Sequence, residues 1–496
     1  MKRPTAPRTA AFAAPAGAGP HRGPALWGLL FVLAANMLID ALEVSVALVA
    51  LPAIGDDLGL APHQLQWVVS GFAAGFGALL LFGGRLVAVL GRRPVYLGAL
   101  LVFAAASLVG ALADQAPLLV ATRFLKGFCV ALTAPTGLAI IMSAFPEGPA
   151  RGRALSVYSL FGASGFSAGL VLSGALTEVS WRWTFAFPAP VALLLFAFAR
   201  RLIPRDAPPP GTPRRYDAAG ALSLTAATLL AVAGIAAGPA VGWAHPLTLG
   251  TLLLAALSAL VLVRVERTTR QPLLPAELFR QRALVRSALG AGALNGSYLG
   301  LLLVSTLHLQ QQAGYGPWQT GLAFLPAAAP LALTALHSGR LVTRFGPARL
   351  IAAGAAAAPL GYLLYPREGA AVRYVTDVLP TMLLVGAAFV LAFTAFHTQA
   401  TGSVPEPLRA AAGSFYQTAV QLAAALTTVL CAALYPLGRG PALVPVTAVA
   451  LAGLAVALHG LVPRRTRPGG RPRASGPPGT ALPYGNRHSH GPGDTP

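Results

Sequence analysis

Leu38-Ile39-Asp40-Ala41-Leu42-Glu43-Val44-Ser45-Val46-Ala47-Leu48-Val49-Ala50-Leu51-Pro52-Ala53-Ile54 is an apolar run with two carboxylates inside it. Asp40 and Glu43 stand three residues apart, so on a helix they share one face, one turn from each other. They are the two acids that fall within the long apolar segments of the chain; the other acids belong to loops or tails. An acid at bilayer depth costs about 2.5–3.5 kcal/mol on insertion scales and usually faces a bundle interior or a polar cavity. The run therefore reads as a membrane helix whose acids have a task.

The composition agrees. Of the 496 residues 55% are hydrophobic and 10% charged, with a mean hydropathy of +0.65, whereas soluble domains carry about 25% charged residues. The net charge of +21 suits the positive-inside rule of a polytopic membrane protein better than nucleic-acid binding. Cys129 and Cys431 both lie in apolar segments and suggest neither a disulfide framework nor a metal site. The basic, Pro/Ala-rich N-terminus (1–24) leads into a segment too long for a signal-peptide core and reads as a retained cytoplasmic tail.

A spanning helix needs about 20 apolar residues. Fourteen segments qualify, at about 27–53, 64–87, 95–113, 117–142, 154–177, 183–201, 217–238, 246–264, 284–309, 319–343, 347–365, 378–400, 410–434 and 441–462. An even number places both termini on one side. With the N-terminus in the cytoplasm, the external side holds Arg182, Arg367, Arg373 and Arg439, and the fourth segment holds Arg123 and Lys126. The other 30 of the 36 basic residues are cytoplasmic, an asymmetry that one missed helix would scramble. The expected location is the plasma membrane.

Gly84-Arg85-Leu86-Val87 recurs as Gly339-Arg340-Leu341-Val342, and each copy is followed at one offset by a glycine, Gly91 or Gly346. The first copy leaves segment two and the second leaves segment ten. A two-fold repeat of six helices would put the second copy after segment eight, so two extra helices stand between the halves. The expected organisation is a tail (1–24), a six-helix bundle (25–203), a linker with two extra helices (204–281), a second six-helix bundle (282–462) and a disordered cytoplasmic tail (463–496). Around Gly84, Arg85, Gly91, Arg92 and Arg93 a cytoplasmic loop is expected, with Gly84 and Gly91 allowing a tight passage. Pro135, Pro326 and Pro330 are candidate bends of segments four and ten.

These residues resemble the Major Facilitator Superfamily, and within it the drug:proton antiporters with fourteen helices, over about residues 30–435. Gln66-Trp67-Val68-Val69-Ser70 through Gly91-Arg92-Arg93-Pro94 looks like that family's second helix and following loop. Arg123-Phe124-Leu125-Lys126-Gly127 is similar to its helix 4 signature, and Leu42-Glu43 through Pro52-Ala53-Ile54 to its helix 1 signature, with Glu43 in place of the usual Asp. There are departures. Ala88 and Val89 replace the loop's usual acid and basic residue, which weakens the charged lock between halves. Helix 5 lacks the antiporter proline, where Leu170 stands, although Gly165, Gly169 and Gly174 remain as small residues for close packing. The resemblance implies an all-α membrane protein of two six-helix bundles plus two central helices. It implies proton-driven export of amphipathic organic compounds by alternating access, with substrate held between the bundles.

The candidate coupling site follows. Arg123 and Lys126 are also three apart on one face, and in the superfamily fold helices 1 and 4 line one cavity. Burial disfavours a charged carboxylate and adjacent cations favour it, so an acid held between them can load and release a proton as its exposure changes. Glu43 is the expected proton-coupling acid with Arg123 as partner, supported by Asp40 and Lys126. A pair of salt bridges that only fix helix 1 to helix 4 is the competing reading. Asn36, Asn295, Tyr298, Tyr416, Gln417 and Gln421 are candidate cavity residues, or else helix–helix hydrogen-bonding groups. No cofactor or metal is expected beyond the proton gradient; the partners are a small amphipathic substrate and the bilayer, with no nucleic acid and a monomeric state by resemblance. The chain shows no Ser/His/Asp set, HExxH or Walker A motif, so an enzyme is not expected. The alternatives are a dedicated exporter or facilitator of one host metabolite, such as an antibiotic, and a transport-inactive sensor or scaffold.

Overall fold

The computed structural model describes residues 23–205, 218–269, 272–273, 275–369 and 372–461. Nearly all of the expected tails and most of the linker at 204–217 lie outside the described residues, as does the side chain of Arg85. The architecture is all-α. In chain order the helices are α1 (Gly23–Leu58), α2 (Pro62–Leu90), α3 (Arg92–Ala111), α4 (Ala116–Ala144), α5 (Pro149–Thr177), α6 (Trp181–Ala186) and α7 (Pro188–Leu202). Then come α8 (Ala218–Val241), α9 (Pro246–Thr268), α10 (Ala276–Arg280), α11 (Arg282–Leu307), α12 (Pro317–Ala323), α13 (Leu325–Thr334) and α14 (Ser338–Phe345). The last are α15 (Pro347–Leu364), α16 (Leu379–Gly402), α17 (Arg409–Leu434) and α18 (Arg439–His459).

Among the described residues thirteen helical stretches are long and apolar enough to cross a bilayer. They match every expected segment except the tenth. That one, 319–343, is broken into α12, α13 and α14. Pro326, at the start of α13, has no N–H to continue the ladder, and its ring blocks the carbonyl four residues back. Pro135, by contrast, lies inside an unbroken α4.

Successive spans reverse direction, so their ends form two layers. We call the side where α1 begins the near side and the other the far side. In the first group α1 packs on α5, α2 on α4, and α3 on α4 and α7; in the second α11 packs on α17 and α18, and α15 on α16 and α18. The hairpin of α8 and α9 joins both groups through α8, which leans on α2 and on α17. On α9, Leu249, Leu253, Leu257 and Leu260 are exposed, which suits a lipid-facing helix.

Small residues set the closest approaches. A Cβ on Gly165 would meet the Leu38 carbonyl, and one on Gly169 the Ser45 hydroxyl, so these two glycines let α5 lie against α1. The contact is tied by Ser45 Oγ donating to the Phe166 carbonyl at 2.7 Å and by Ser173 Oγ donating to that of Val46. Gly174 packs on the second group instead of on α1: it faces Pro317 and Trp318 of α12.

The expected loop at Gly84–Arg93 is also corrected. α2 runs to Leu90, so Gly84 and Arg85 are helical and the link to α3 is Gly91 alone. Gly84 has open space around it, whereas Gly83 packs 3.1 Å (as a Cβ) from the Ala131 carbonyl. The internal repeat survives as one turn built twice. Gly91 (φ 90°) donates to the Val87 carbonyl at 2.9 Å, and Gly346 (φ 77°) to that of Val342 at 3.0 Å. Positive φ explains why glycine holds both positions.

Candidate functional site

The run that opened the sequence reading is the middle of α1. Glu43 is fully buried, and α4 brings both its cations to it. Arg123 Nη1 lies 2.7 Å from Glu43 Oε2 and Lys126 Nζ 2.6 Å from Oε1. Arg123 also donates from Nη2 to the Glu43 carbonyl and from Nε to that of Val68 on α2, both at 2.9 Å. Three helices thus meet on one guanidinium, whose rigid fork suits such multiple donation.

Aromatic rings close the remaining sides. The Arg123 guanidinium carbon is 4.5 Å from the centroid of Phe72, and Lys126 Nζ is 5.0 Å from that of Phe103 and 5.6 Å from that of Phe185. Ring faces attract cations most where water is excluded, and Glu43, Arg123 and Lys126 are all 0% exposed. Sequence reasoning missed these rings and Val68, because cross-helix contacts leave no local spacing signal.

The four-charge cluster of the sequence reading is therefore corrected to three charges. Asp40 meets neither cation. Its Oδ2 accepts from Asn36 Nδ2 at 3.0 Å and from Thr133 Oγ1 at 2.8 Å. The reason is the antiparallel run of α1 and α4. A residue one turn earlier on α1 faces a later part of α4, beyond Arg123 and Lys126. Two buried acids one turn apart are left in opposite settings, one between cations and one among neutral donors.

The candidate cavity residues do not converge on one place. Asn36 serves Asp40. Asn295 Nδ2 donates weakly to the Val420 carbonyl at 3.4 Å. Gln421 packs over Gly77 of α2, and Gln417 is partly buried on α17. The Tyr416 ring is 5.3 Å from that of His397. Tyr298 stands between Phe166 of α5, at 5.5 Å, and Phe389 of α16, at 4.7 Å. Of the loop residues, Arg93 Nη2 donates to the Arg200 carbonyl at the end of α7, while Arg92 is partly buried.

Contacts between the two groups gather at the far side and mid-depth. Gln310, in a π-helical turn (His308–Gln312), donates to the Val49 carbonyl at 2.9 Å. Glu178 accepts from the Trp318 amide at 3.0 Å. At mid-depth Thr418 Oγ1 donates to the Gly77 carbonyl at 3.1 Å. On the far surface of the first group, Arg182 joins Asp57 and Asp114 at 2.6 and 2.7 Å.

The chain is 36% identical over 409 residues to the puromycin resistance protein pur8 of Streptomyces alboniger, covering 82% of this chain and 80% of that one. It is 36% identical over 341 residues to the cephamycin export protein CmcT of Amycolatopsis lactamdurans, covering 67% and 69%. It is 33% identical over 362 residues to the lincomycin resistance protein of Streptomyces lincolnensis, covering 72% and 74%. In fold it is similar to a crystal structure of the peptide transporter POT in complex with sulfate, with a TM-score of 0.66 at 17% identity over 89% of this chain and 95% of that one. The model of the Major Facilitator Superfamily matches residues 33–428, and the chain belongs to that superfamily of membrane transporters.

Proposed function

We propose that this protein exports amphipathic organic compounds across the plasma membrane, exchanging them for protons by alternating access. The observation that carries the coupling is Glu43 held at once by Arg123 and Lys126 with no exposure to solvent. A proton on Glu43 discharges both pairs together. It loosens the guanidinium from the Glu43 side chain, leaving Arg123 only its bonds to the Glu43 and Val68 carbonyls across α1, α2 and α4. The proton therefore acts differently on the arrangement in which these contacts are made and on one in which they are broken, which is the requirement for coupling. Asp40 is a second acid on the same helix, held by neutral donors. The resistance and export relatives support the outward direction and the organic cargo.

The basic residues support cytoplasmic termini, so that the near side is the cytoplasm and the closed far side makes this an inward-facing arrangement. The protein acts as a monomer, without enzymatic activity, cofactor or nucleic-acid partner. The test is ethidium transport in inverted vesicles, with and without a protonophore. Uptake that collapses with the proton gradient, and is lost in Glu43→Gln at normal expression, supports the reading. Gradient-independent uptake overturns proton exchange, and uptake that persists in Glu43→Gln moves the coupling role to Asp40.

A further inference from the structure

At the near-side end of the second group, α11, α15, α16 and α18 leave a small cavity between them. Its walls include Arg286 and Ser287 of α11, Ala348 of α15, Gln399 of α16 and Gly460 just past α18. A volume of about 20 Å³ admits one water-sized group, which is too little for a drug-sized compound.

Three parts of the wall favour an anion. Arg286 is partly buried, and its shielded Nε has no hydrogen-bond partner. Arg439 shares that feature, yet its other nitrogens meet Gln312 and the Gly369 carbonyl. Arg286 has no such bond and forms no ion pair among the described residues. Its Nη1 lies 3.4 Å from where a Cβ on Gly460 would stand, so it reaches the end of α18 without capping it. The Ala457 carbonyl there accepts from the Gly460 amide instead, at 3.0 Å. Ser287 is 2% exposed and brings an unpartnered hydroxyl to the same wall. Unpartnered hydroxyls occur elsewhere in the core; this one stands beside a cation that has no anion. Ala348 is the second residue of α15. First-turn amides have no carbonyl behind them inside the helix, so the positive end of the helix dipole lies here.

The surroundings indicate where the anion comes from. Arg282 is exposed one turn nearer the surface on the same face of α11, while Leu289, one turn deeper, is 57% exposed. Leu458 on the last turn of α18 is also exposed. The cavity therefore sits where apolar, lipid-facing surface gives way to charge, at the level of the lipid headgroups.

We propose that this cavity binds a phosphate oxygen of an anionic lipid headgroup from the near-side leaflet, held by the Arg286 guanidinium, the Ser287 hydroxyl and the N-terminus of α15. A guanidinium and helix amides are the donors that phosphate oxygens favour. The site is separate from the Glu43 cluster and does not depend on the exporter reading.

The test melts the purified full-length protein in neutral detergent with increasing phosphatidylglycerol, phosphatidylcholine of the same chains, or inorganic phosphate. A ligand of the folded state raises Tm with its concentration, so the half-effective concentration reads affinity. Phosphatidylglycerol is expected to stabilise the wild type and phosphatidylcholine much less. Arg286→Gln is expected to weaken the phosphatidylglycerol effect about 10-fold, the loss of one charge-assisted contact, and Ser287→Ala about 2- to 5-fold. Arg153→Gln removes an exposed near-side charge of the first group and is expected to stay within about 2-fold, since diffuse surface attraction is spread over many basic residues. Equal phosphatidylglycerol dependence in wild type and Arg286→Gln overturns the inference, and so does an equal loss in Arg286→Gln and Arg153→Gln. Stabilisation by inorganic phosphate and none by phosphatidylglycerol overturns the lipid and assigns the cavity to a soluble phosphate. If Arg286→Gln does not fold, Ser287→Ala decides against Arg153→Gln: a loss confined to Ser287→Ala supports the site, and no loss in it overturns the site.

Discussion

Glu43→Gln leaves Arg123 and Lys126 buried with no anion between them. Breaking a buried ion pair from one side costs about 3–5 kcal/mol, so the variant is expected to melt well below the wild type in detergent. Lys126→Gln leaves Glu43 and Arg123 as a one-to-one pair and is expected to cost clearly less. Melting both variants side by side checks this, and an equal loss would show that Lys126 is as necessary to the site as the acid. Asp40→Asn belongs to a third class. Its partners Asn36 and Thr133 are neutral, so the amide is expected to change stability by only about 1 kcal/mol. A collapse of the fold in Asp40→Asn would mean that a charge there is structurally required.

Among elements, the glycines separate by what lies beside them. Gly83→Ala puts a methyl 3.1 Å from the Ala131 carbonyl, while Gly84→Ala points into open space. The first is expected to lose about 1–3 kcal/mol by forcing α2 from α4. The second is expected to gain about 0.5–1 kcal/mol, since alanine suits a helix interior better than glycine. Thermal unfolding of the pair reads this directly, and the reverse order would refute the extension of α2 through Gly84. The repeat was legible as sequence, down to the glycine at the same offset in each copy. Which of two adjacent glycines packs was not, because it depends on the rotation of α2 against α4, and neighbouring residues on a helix face about 100° apart.

For the whole molecule, the two halves must part at the far side during each cycle. Glu178 and Trp318 stand on opposite sides of that seam, with carboxylate and amide 3.0 Å apart. Glu178→Cys combined with Trp318→Cys is expected to form a disulfide on oxidation, stop ethidium transport and recover it with reductant. The native Cys129 and Cys431 are buried, so they should not interfere. Undiminished transport by the oxidised double variant would rule out far-side opening at this seam.

The chain's own pattern determined the membrane class and the placement of thirteen spans, because apolar length acts residue by residue and needs no partner to be read, whereas the expectation that helices 1 and 4 line one cavity came from the family resemblance. The pattern also exposed the repeat, since a turn that requires positive φ leaves glycine behind in both copies. Only the tertiary structure decided that both cations serve Glu43, that Asp40 is held by Asn36 and Thr133, and that rings from α5, α11 and α16 form one column. Those outcomes depend on the direction, rotation and depth of helices far apart in sequence, and spacing along a single helix carries no information about any of the three.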